Sequence, residues 1–499
     1  MGKPAAATSS CSVFKHWSFQ GQRNALLLLF FMMMAGGVRA QQNHTFYFMQ
    51  QVPQASIVNP AYASPCTYLG LPLVSSIHTN LGHTGFSYNQ LFPKNNGRRG
   101  VDVGYLENRL HRLDLFNSQV HLELLSGGIP FKDYFFSFRV SEKISGKMSY
   151  PRQLFVLPWK GNSRYTGQTA SIDRLGGDVS YYREYALSAS RWVSDDLRLG
   201  IRGKLLFGKL NLSTRRENLR VTTGSENYHI DVNGRYQVNA SMPLQLETDS
   251  ADRVSHLQLP AQINWRKLLF NSQNPGLAMD VGAVYTGLDH FTLYASLLNL
   301  GGLRWSSNLN NLKVKQSFQF EGLSQEDLNA SDYMGMMRDS LKDSYQMNHG
   351  QKSYFTWLPL HTYIGMSYQF NDYLQAGILE HHMLYKWRIY PSFTLSLNGR
   401  VGDFLSLSAS YSYNNYSFRN LGLGFSIQTD HWQFYAAADN LLGMRPLNVR
   451  NVNLRWGFNL FFGCGQNTGS SKLETPSSGN GCHWIRRRRA NEKRLPGEK

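Results

Sequence analysis

Outside residues 25–35 the chain has no long apolar run, and this excludes a helical transporter, since a bilayer-spanning helix needs roughly twenty apolar residues. Cysteine is scarce too. Cys11 falls in the leader, and Cys66, Cys464 and Cys482 form neither a CxxC pair nor a metal-ligand spacing. They read as isolated thiols, the alternative being a Cys66–Cys464 bridge between the first and last strands if the chain closes into a barrel. Charged residues make up only 17%, and acids are the rarer sign: 33 Asp and Glu against 51 Lys and Arg, a formal charge of +18. Much of that excess sits in the leader and in the tail after Cys464, and no basic module with interleaved aromatics is present, so nucleic acid is not an expected partner. HExxH, GxSxG and P-loop motifs are absent, so the expectation is a protein that is no enzyme and carries no cofactor.

What is abundant is aromatic residues, at 13%, and glycine, 44 in all, under a mean hydropathy of −0.38. That blend suits strands with one face in lipid and one in water. The run from Asn451 to Phe462 is such a strand: Val452, Leu454, Trp456, Phe458, Leu460 and Phe462 alternate with Asn451, Asn453, Arg455, Gly457 and Asn459. Its ending, with Gly457, Leu460 and Phe462, resembles the terminal signal that bacterial outer-membrane barrels present to their assembly machinery. These residues are therefore taken as a barrel-closing strand.

The same alternation recurs upstream. Phe393, Leu395 and Leu397 oppose Ser392, Thr394 and Ser396; Leu405, Leu407, Ala409 and Tyr411 oppose Ser406, Ser408 and Ser410; Leu421, Leu423 and Phe425 oppose Gly422, Gly424 and Ser426. Tight-turn residues punctuate the chain at Lys132-Asp133, Ser194-Asp195-Asp196, Leu288-Asp289-His290, Asn371-Asp372, Gly402-Asp403 and Thr429-Asp430. Each turn implies a hairpin. With the closing strand and a strand near Tyr68 to Ile77, the chain is expected to form an all-β, closed antiparallel up-and-down transmembrane β-barrel of about fourteen strands, within a range of about twelve to sixteen.

Three stretches break the pattern, Leu91–Leu115, Tyr150–Gly177 and Leu312–Trp357, with short loop helices expected at Gly104–Leu113 and Asp332–Tyr345. Residues 1–40 read as a signal peptide cleaved after Ala40, 41–463 as the barrel, and 464–499 as a disordered basic tail. If the apolar positions face lipid, then Arg139, Arg198, Arg202, Lys204, Arg400 and Arg455 face the lumen, because a cation on the lipid face at mid-depth costs about 2–4 kcal/mol. Few acids are evident on that face. Such a basic lumen would attract anions; alternatively, the cations pair with acids from a plug or loops in a filled barrel. Glu380-His381-His382 is the best metal candidate, but neighbours on a strand face opposite sides and cannot easily share an ion.

Several segments in order resemble an uncharacterised family of Bacteroidetes outer-membrane barrels close to the PorP/SprF proteins of type IX secretion. The carrying residues are Gln54-Ala55-Ser56-Ile57-Val58-Asn59-Pro60-Ala61-Tyr62, Tyr68-Leu69-Gly70-Leu71-Pro72, Phe86-Ser87-Tyr88-Asn89 and Asn108-Arg109-Leu110-His111-Arg112-Leu113-Asp114. Ser296-Leu297-Leu298-Asn299-Leu300-Gly301 with Trp305 and Ala438-Asp439-Asn440-Leu441-Leu442-Gly443 complete them. The resemblance implies an outer-membrane barrel of a Gram-negative bacterium. It also implies a non-enzymatic binding or scaffolding component, in contact with outer-membrane lipid, the barrel-assembly machinery and other envelope or secretion proteins. The alternative function is a pore or transporter for small anions or amphiphiles.

Overall fold

The computed structural model describes residues 43–463 apart from 93, 96–97, 100–102, 161–164, 227–228, 244, 249–253, 259–265, 267–269, 271, 321–344, 403, 415–416 and 442–450. The chain forms a closed antiparallel barrel of 14 strands. In order these are β1 (Thr67–Gly70 and Ile77–His83), β2 (Leu113–Phe131), β3 (Tyr134–Pro151), β4 (Gly176–Trp192), β5 (Leu197–Thr223), β6 (Pro275–Leu288) and β7 (Phe291–Trp305). They continue with β8 (Leu360–Asn371), β9 (Leu374–Tyr385), β10 (Arg388–Val401), β11 (Leu405–Asn414), β12 (Ser417–Gln428), β13 (Trp432–Ala438) and β14 (Asn451–Phe462). β14 closes the ring. On one side it pairs with β13, Trp432 opposite Leu460, and on the other with both pieces of β1, Thr67 opposite Phe462 and Ile77 opposite Trp456.

The six turns read from the sequence join β2–β3, β4–β5, β6–β7, β8–β9, β10–β11 and β12–β13, all at one end of the barrel. Lys132 and His290 take left-handed backbone there, as tight hairpins demand. Longer connections gather at the other end. Beyond it β5 outruns the wall and pairs with Ile230–Ser241, which pairs with Leu309–Phe320, itself paired with Tyr345–Gly350, so the interruption after Leu312 contains strands rather than a plain loop.

Outward positions are apolar: Leu187, Ile201, Leu277, Ile364, Leu397, Leu423 and Leu454 are all exposed. Exposed aromatics ring both ends, Tyr134, Trp192, Tyr285, Tyr373, Trp432 and Phe462 on the turn side and Phe355, Trp357, Trp387 and Phe418 on the other, the girdle arrangement of a membrane barrel.

Three expectations need correction. β1 is not one strand over Tyr68–Ile77 but breaks at 71–76, where Leu73 adopts a left-handed φ of 67° and Ser75 and Ser76 turn inward. The helix foreseen at Gly104–Leu113 runs only Val103–Arg109, because Leu113 pairs with Pro151 and the sheet ladder overrides the local helical spacing. Cys66 is disulfide-bonded, not an isolated thiol; its partner lies outside the described residues, which hold no other cysteine. The leader with its Ala40 boundary, the 464–499 tail and the helix foreseen from Asp332 also fall outside the described residues.

Candidate functional site

The lumen is occupied by the chain's own N-terminal residues. From Asn43 the chain makes one turn of helix, His44–Tyr47, and then a 3-10 turn, Pro53–Ile57, whose proline stands at a first helical position where its missing N–H costs nothing. Phe46, Tyr47, Phe48, Met49, Val52, Ala55 and Val58 pack on inward residues of the wall, Val284, Tyr294, Leu298, Tyr363, Leu379 and Tyr435. The inward face was expected to suit water. It is instead partly apolar, because it meets protein. Hydrogen bonds fix the register of this plug: Thr45 N donates to Asp439 Oδ1 (2.8 Å), Gln433 Nε2 to Gln51 O (3.1 Å) and Ser296 Oγ to Val58 O (2.6 Å). The Asn59-Pro60 step presses so closely on the wall that a Cβ on Gly282 would lie 2.1 Å from Asn59 Oδ1, and one on Gly200 would lie 2.3 Å from Pro60. Gly457 of the closing strand likewise faces inward, against the carbonyl of Ser75. His44, in the plug, is held below its ordinary pKa by burial, an effect that Asp439 opposes.

Four of the six cations named from the sequence lie deep in this lumen. Arg139 Nε meets Glu123 Oε2 at 2.6 Å and its Nη2 donates to Ser56 Oγ of the plug at 3.2 Å. Arg202 pairs with Asp280 at 2.9 Å and donates to the carbonyls of Ser56 and Ile57. Lys204 shares Asp280 at 2.7 Å and reaches Asn299 Oδ1 at 2.7 Å. Arg455 donates to Asn43 Oδ1 (3.2 Å) and Ser76 Oγ (2.8 Å), with its guanidinium 4.9 Å from the ring of Phe46. Arg198 and Arg400 are only half-buried, near the turn-side rim, Arg198 stacked 5.6 Å from Trp192. The acids come from the wall itself, Glu123 on β2, Glu184 on β4 and Asp280 on β6; they serve Arg139, Arg202 and Lys204, whereas Arg455 is held by hydrogen bonds and by the ring of Phe46.

Lys143 and Lys147 follow Arg139 inward at every fourth residue of β3, a signal the alternation carries. Lys143 pairs with Glu184 at 2.6 Å. The motif around Asn299 is also explained: Asn299 (φ 67°) and Gly301 (φ 152°) form a kink in β7, Asn299 N donates to Asp280 Oδ1 at 2.7 Å, and Trp305 beyond it is fully buried with its Nε1 donating to Thr356 Oγ1 at 2.8 Å.

At the end away from the turns, the tight β9–β10 hairpin reaches across to β4 and β5. Tyr385 donates its hydroxyl to Asp178, and Lys386 Nζ lies 3.1 Å from Thr214 O and 3.5 Å from Asp178 Oδ2. His381 and His382 point to opposite sides, as expected: His381 is fully buried and bonded to His361 at 2.9 Å, whereas His382 meets Glu380 at 3.1 Å. Among the described residues no three His, Cys, Asp or Glu side chains are grouped to hold a metal ion. A second charged group faces outward, where alternation predicts lipid: Glu142 Oε1 accepts from Lys209 Nζ (2.6 Å) and Arg183 Nε (2.7 Å), and Arg183 lies 5.8 Å from the ring of Phe270.

An apolar outside, two aromatic girdles and a lumen filled by the chain's own N-terminal residues define a plugged β-barrel of the outer-membrane class. The chain belongs to the family of unknown function DUF5723, whose sequence model matches residues 60–439. No curated protein sequence matches it. Among solved structures it is similar to the P. putida toluene transporter TodX (11% identity, TM-score 0.40), the Ralstonia pickettii toluene transporter TbuX (11%, 0.39) and a Pseudomonas aeruginosa FadL homologue (13%, 0.32). Each of these matches covers 82% of this chain and 94% of the other. Likeness at that level says nothing about cargo.

Proposed function

We propose that the protein is an occluded outer-membrane barrel that acts as a non-enzymatic binding component of the envelope, not as an open anion pore. One observation carries this reading: the lumen is filled by residues 43–64, and of its four deep cations named from the sequence Arg139 meets Glu123, Arg202 and Lys204 share Asp280, and Arg455 donates to Asn43 of the plug and to Ser76. An anion pore needs unpaired positive charge along a water-filled path. Here the path is plugged on the turn side and crossed by Tyr385 and Lys386 at the other mouth. Outer-membrane lipid meets the apolar outer face, and envelope proteins meet the sheet that projects beyond the mouth.

Passage of small apolar or amphiphilic molecules is the second reading. It is favoured by a buried cluster of Tyr182, Leu206, Leu303, Trp305 and Leu358 in the wall away from the turns, and it requires the plug to move. Planar-bilayer recording of the purified protein tests the first reading: a silent barrel supports it, and a stable anion-selective current from the intact chain overturns it.

A further inference from the structure

We infer that the lumen above the plug is a binding site for a single-chain carboxylate amphiphile, with Lys147 as the counter-ion of its head group. The inference deepens the binding role proposed above and rests on it. Lys147 projects inward from β3 and is only 4% exposed. Arg139, Lys143, Arg202 and Lys204, all nearer the turn side of the lumen, each have a carboxylate within 2.6–2.9 Å. Lys147 has no ion pair of that length among the described residues, and Asp178 attracts it only from further off. Its cross-strand neighbour Asp178 is already engaged by the Tyr385 hydroxyl, by Ser213 Oγ at 2.5 Å and by Lys386. What meets the ammonium is the face of Tyr385, 5.4 Å away.

Buried charge is costly unless paired and hydrogen-bonded, and one aromatic face is a weak substitute for a carboxylate. Two further inward groups on the adjacent strand are also unsatisfied. Asn117, directly opposite Lys147, is 5% exposed with no partner for Oδ1, and His121, one repeat further toward the plug, is 7% exposed with none for Nε2. Turning the Asn117 amide would present its N–H to an anion. The neighbourhood is otherwise apolar: Leu115, Met383 and Tyr390 form a buried cluster against which Tyr385, the ring under Lys147, also packs. An anionic head beside a short apolar body matches this lining, whereas an inorganic anion would leave the apolar part unused.

The test is binding of decanoate and of 1-decanol to the intact protein in detergent, followed by calorimetry. Decanoate should bind at least about tenfold tighter than decanol, Lys147→Met should remove that difference, and Lys147→Arg should keep it. Should Lys147→Met fail to fold, the wild-type protein still decides: decanoate, but not decanol, should protect Lys147 from amine acylation read by mass spectrometry. Equal binding of the two ligands, no binding of either, or no protection would overturn the site. Because bilayer conductance is recorded without either ligand, a silent barrel that ignores decanoate sinks this site alone, and a conducting one sinks the occluded reading.

Discussion

Gln54 of the plug and Asn459 of the closing strand exchange two amide hydrogen bonds, Gln54 Nε2 to Asn459 Oδ1 at 2.6 Å and Asn459 Nδ2 to Gln54 Oε1 at 2.8 Å, both residues being fully buried. The strand that completes the ring thus also holds what fills it. Glu123 Oε1 accepts from the same Gln54 amide at 3.3 Å and Gln433 Oε1 from Asn459 at 3.1 Å, so neither amide has a loose end.

Replacing Gln54 by Leu should strand Asn459 and cost about 2–3 kcal/mol, the penalty for leaving buried polar groups unpaired. Urea unfolding of the purified barrel reads this directly, and a change under about 0.5 kcal/mol, the scatter of ordinary surface substitutions, would remove the pair from the account.

The wall charges are a stricter case. Asp280 serves Arg202, Lys204 and the backbone of Asn299 together, so Asp280→Asn leaves two buried cations without their shared carboxylate. A loss of about 3–5 kcal/mol is expected, seen as early unfolding or failed assembly. Unchanged stability would mean the lumen is wetter than the packing implies.

Much of this was legible beforehand, and what was missed has physical causes. Strand alternation and the turns at Lys132-Asp133 through Thr429-Asp430 were enough for the ring, because lipid on one face forces a period of two. A filled barrel was one of the two readings of the basic lumen, but the segment that fills it was not legible: alternation says which side chains face in, never what meets them, and Phe46 to Val58 carry no strand or long-helix period. Of the wall acids, Glu123 sits beside a bulge between Glu123 and Leu125, past which counting by twos along the sequence loses the inward face. Asp280 was legible, because Ala278, Asp280 and Gly282 alternate regularly with Leu277, Met279 and Val281.

Gly282 and Gly200 leave room for Asn59 and Pro60. Gly282→Val should expel this part of the plug while leaving the outer face untouched, giving a barrel that assembles but conducts. Silent recordings from a correctly folded variant would show that the plug tolerates the added side chain.

Acid should loosen the plug. His44 is buried 5.6 Å from His381, with Asp439 alongside, and burial holds its pKa low. A released plug would titrate near the ordinary 6.5, so docking is fully supported above that pH. Its contribution is lost as pH falls from there toward the docked pKa, by at most about 1.4 kcal/mol per unit. Channel openings of the intact protein should therefore become more frequent between about pH 7 and 5. The same rise in His44→Gln would assign the effect to other groups.

Phe462 is 52% exposed on the lipid side and pairs with Thr67 at the seam. Phe462→Asp should impair assembly, whereas removing residues 483–499, which spares Cys464 and Cys482, should leave it intact. Heat-modifiable migration of the two variants on gels checks both, and normal assembly of Phe462→Asp would count against the role given to the closing strand.

The plug inside the ring is the central claim, and a cross-link tests it most directly. Thr45 Oγ1 and Ser410 Oγ lie 2.6 Å apart, one in the plug and one on β11. Thr45→Cys combined with Ser410→Cys should form a disulfide in membranes under mild oxidation, detected by mass spectrometry of the joined peptides. No cross-link in the assembled barrel would place the N-terminal segment outside the lumen and contradict the account.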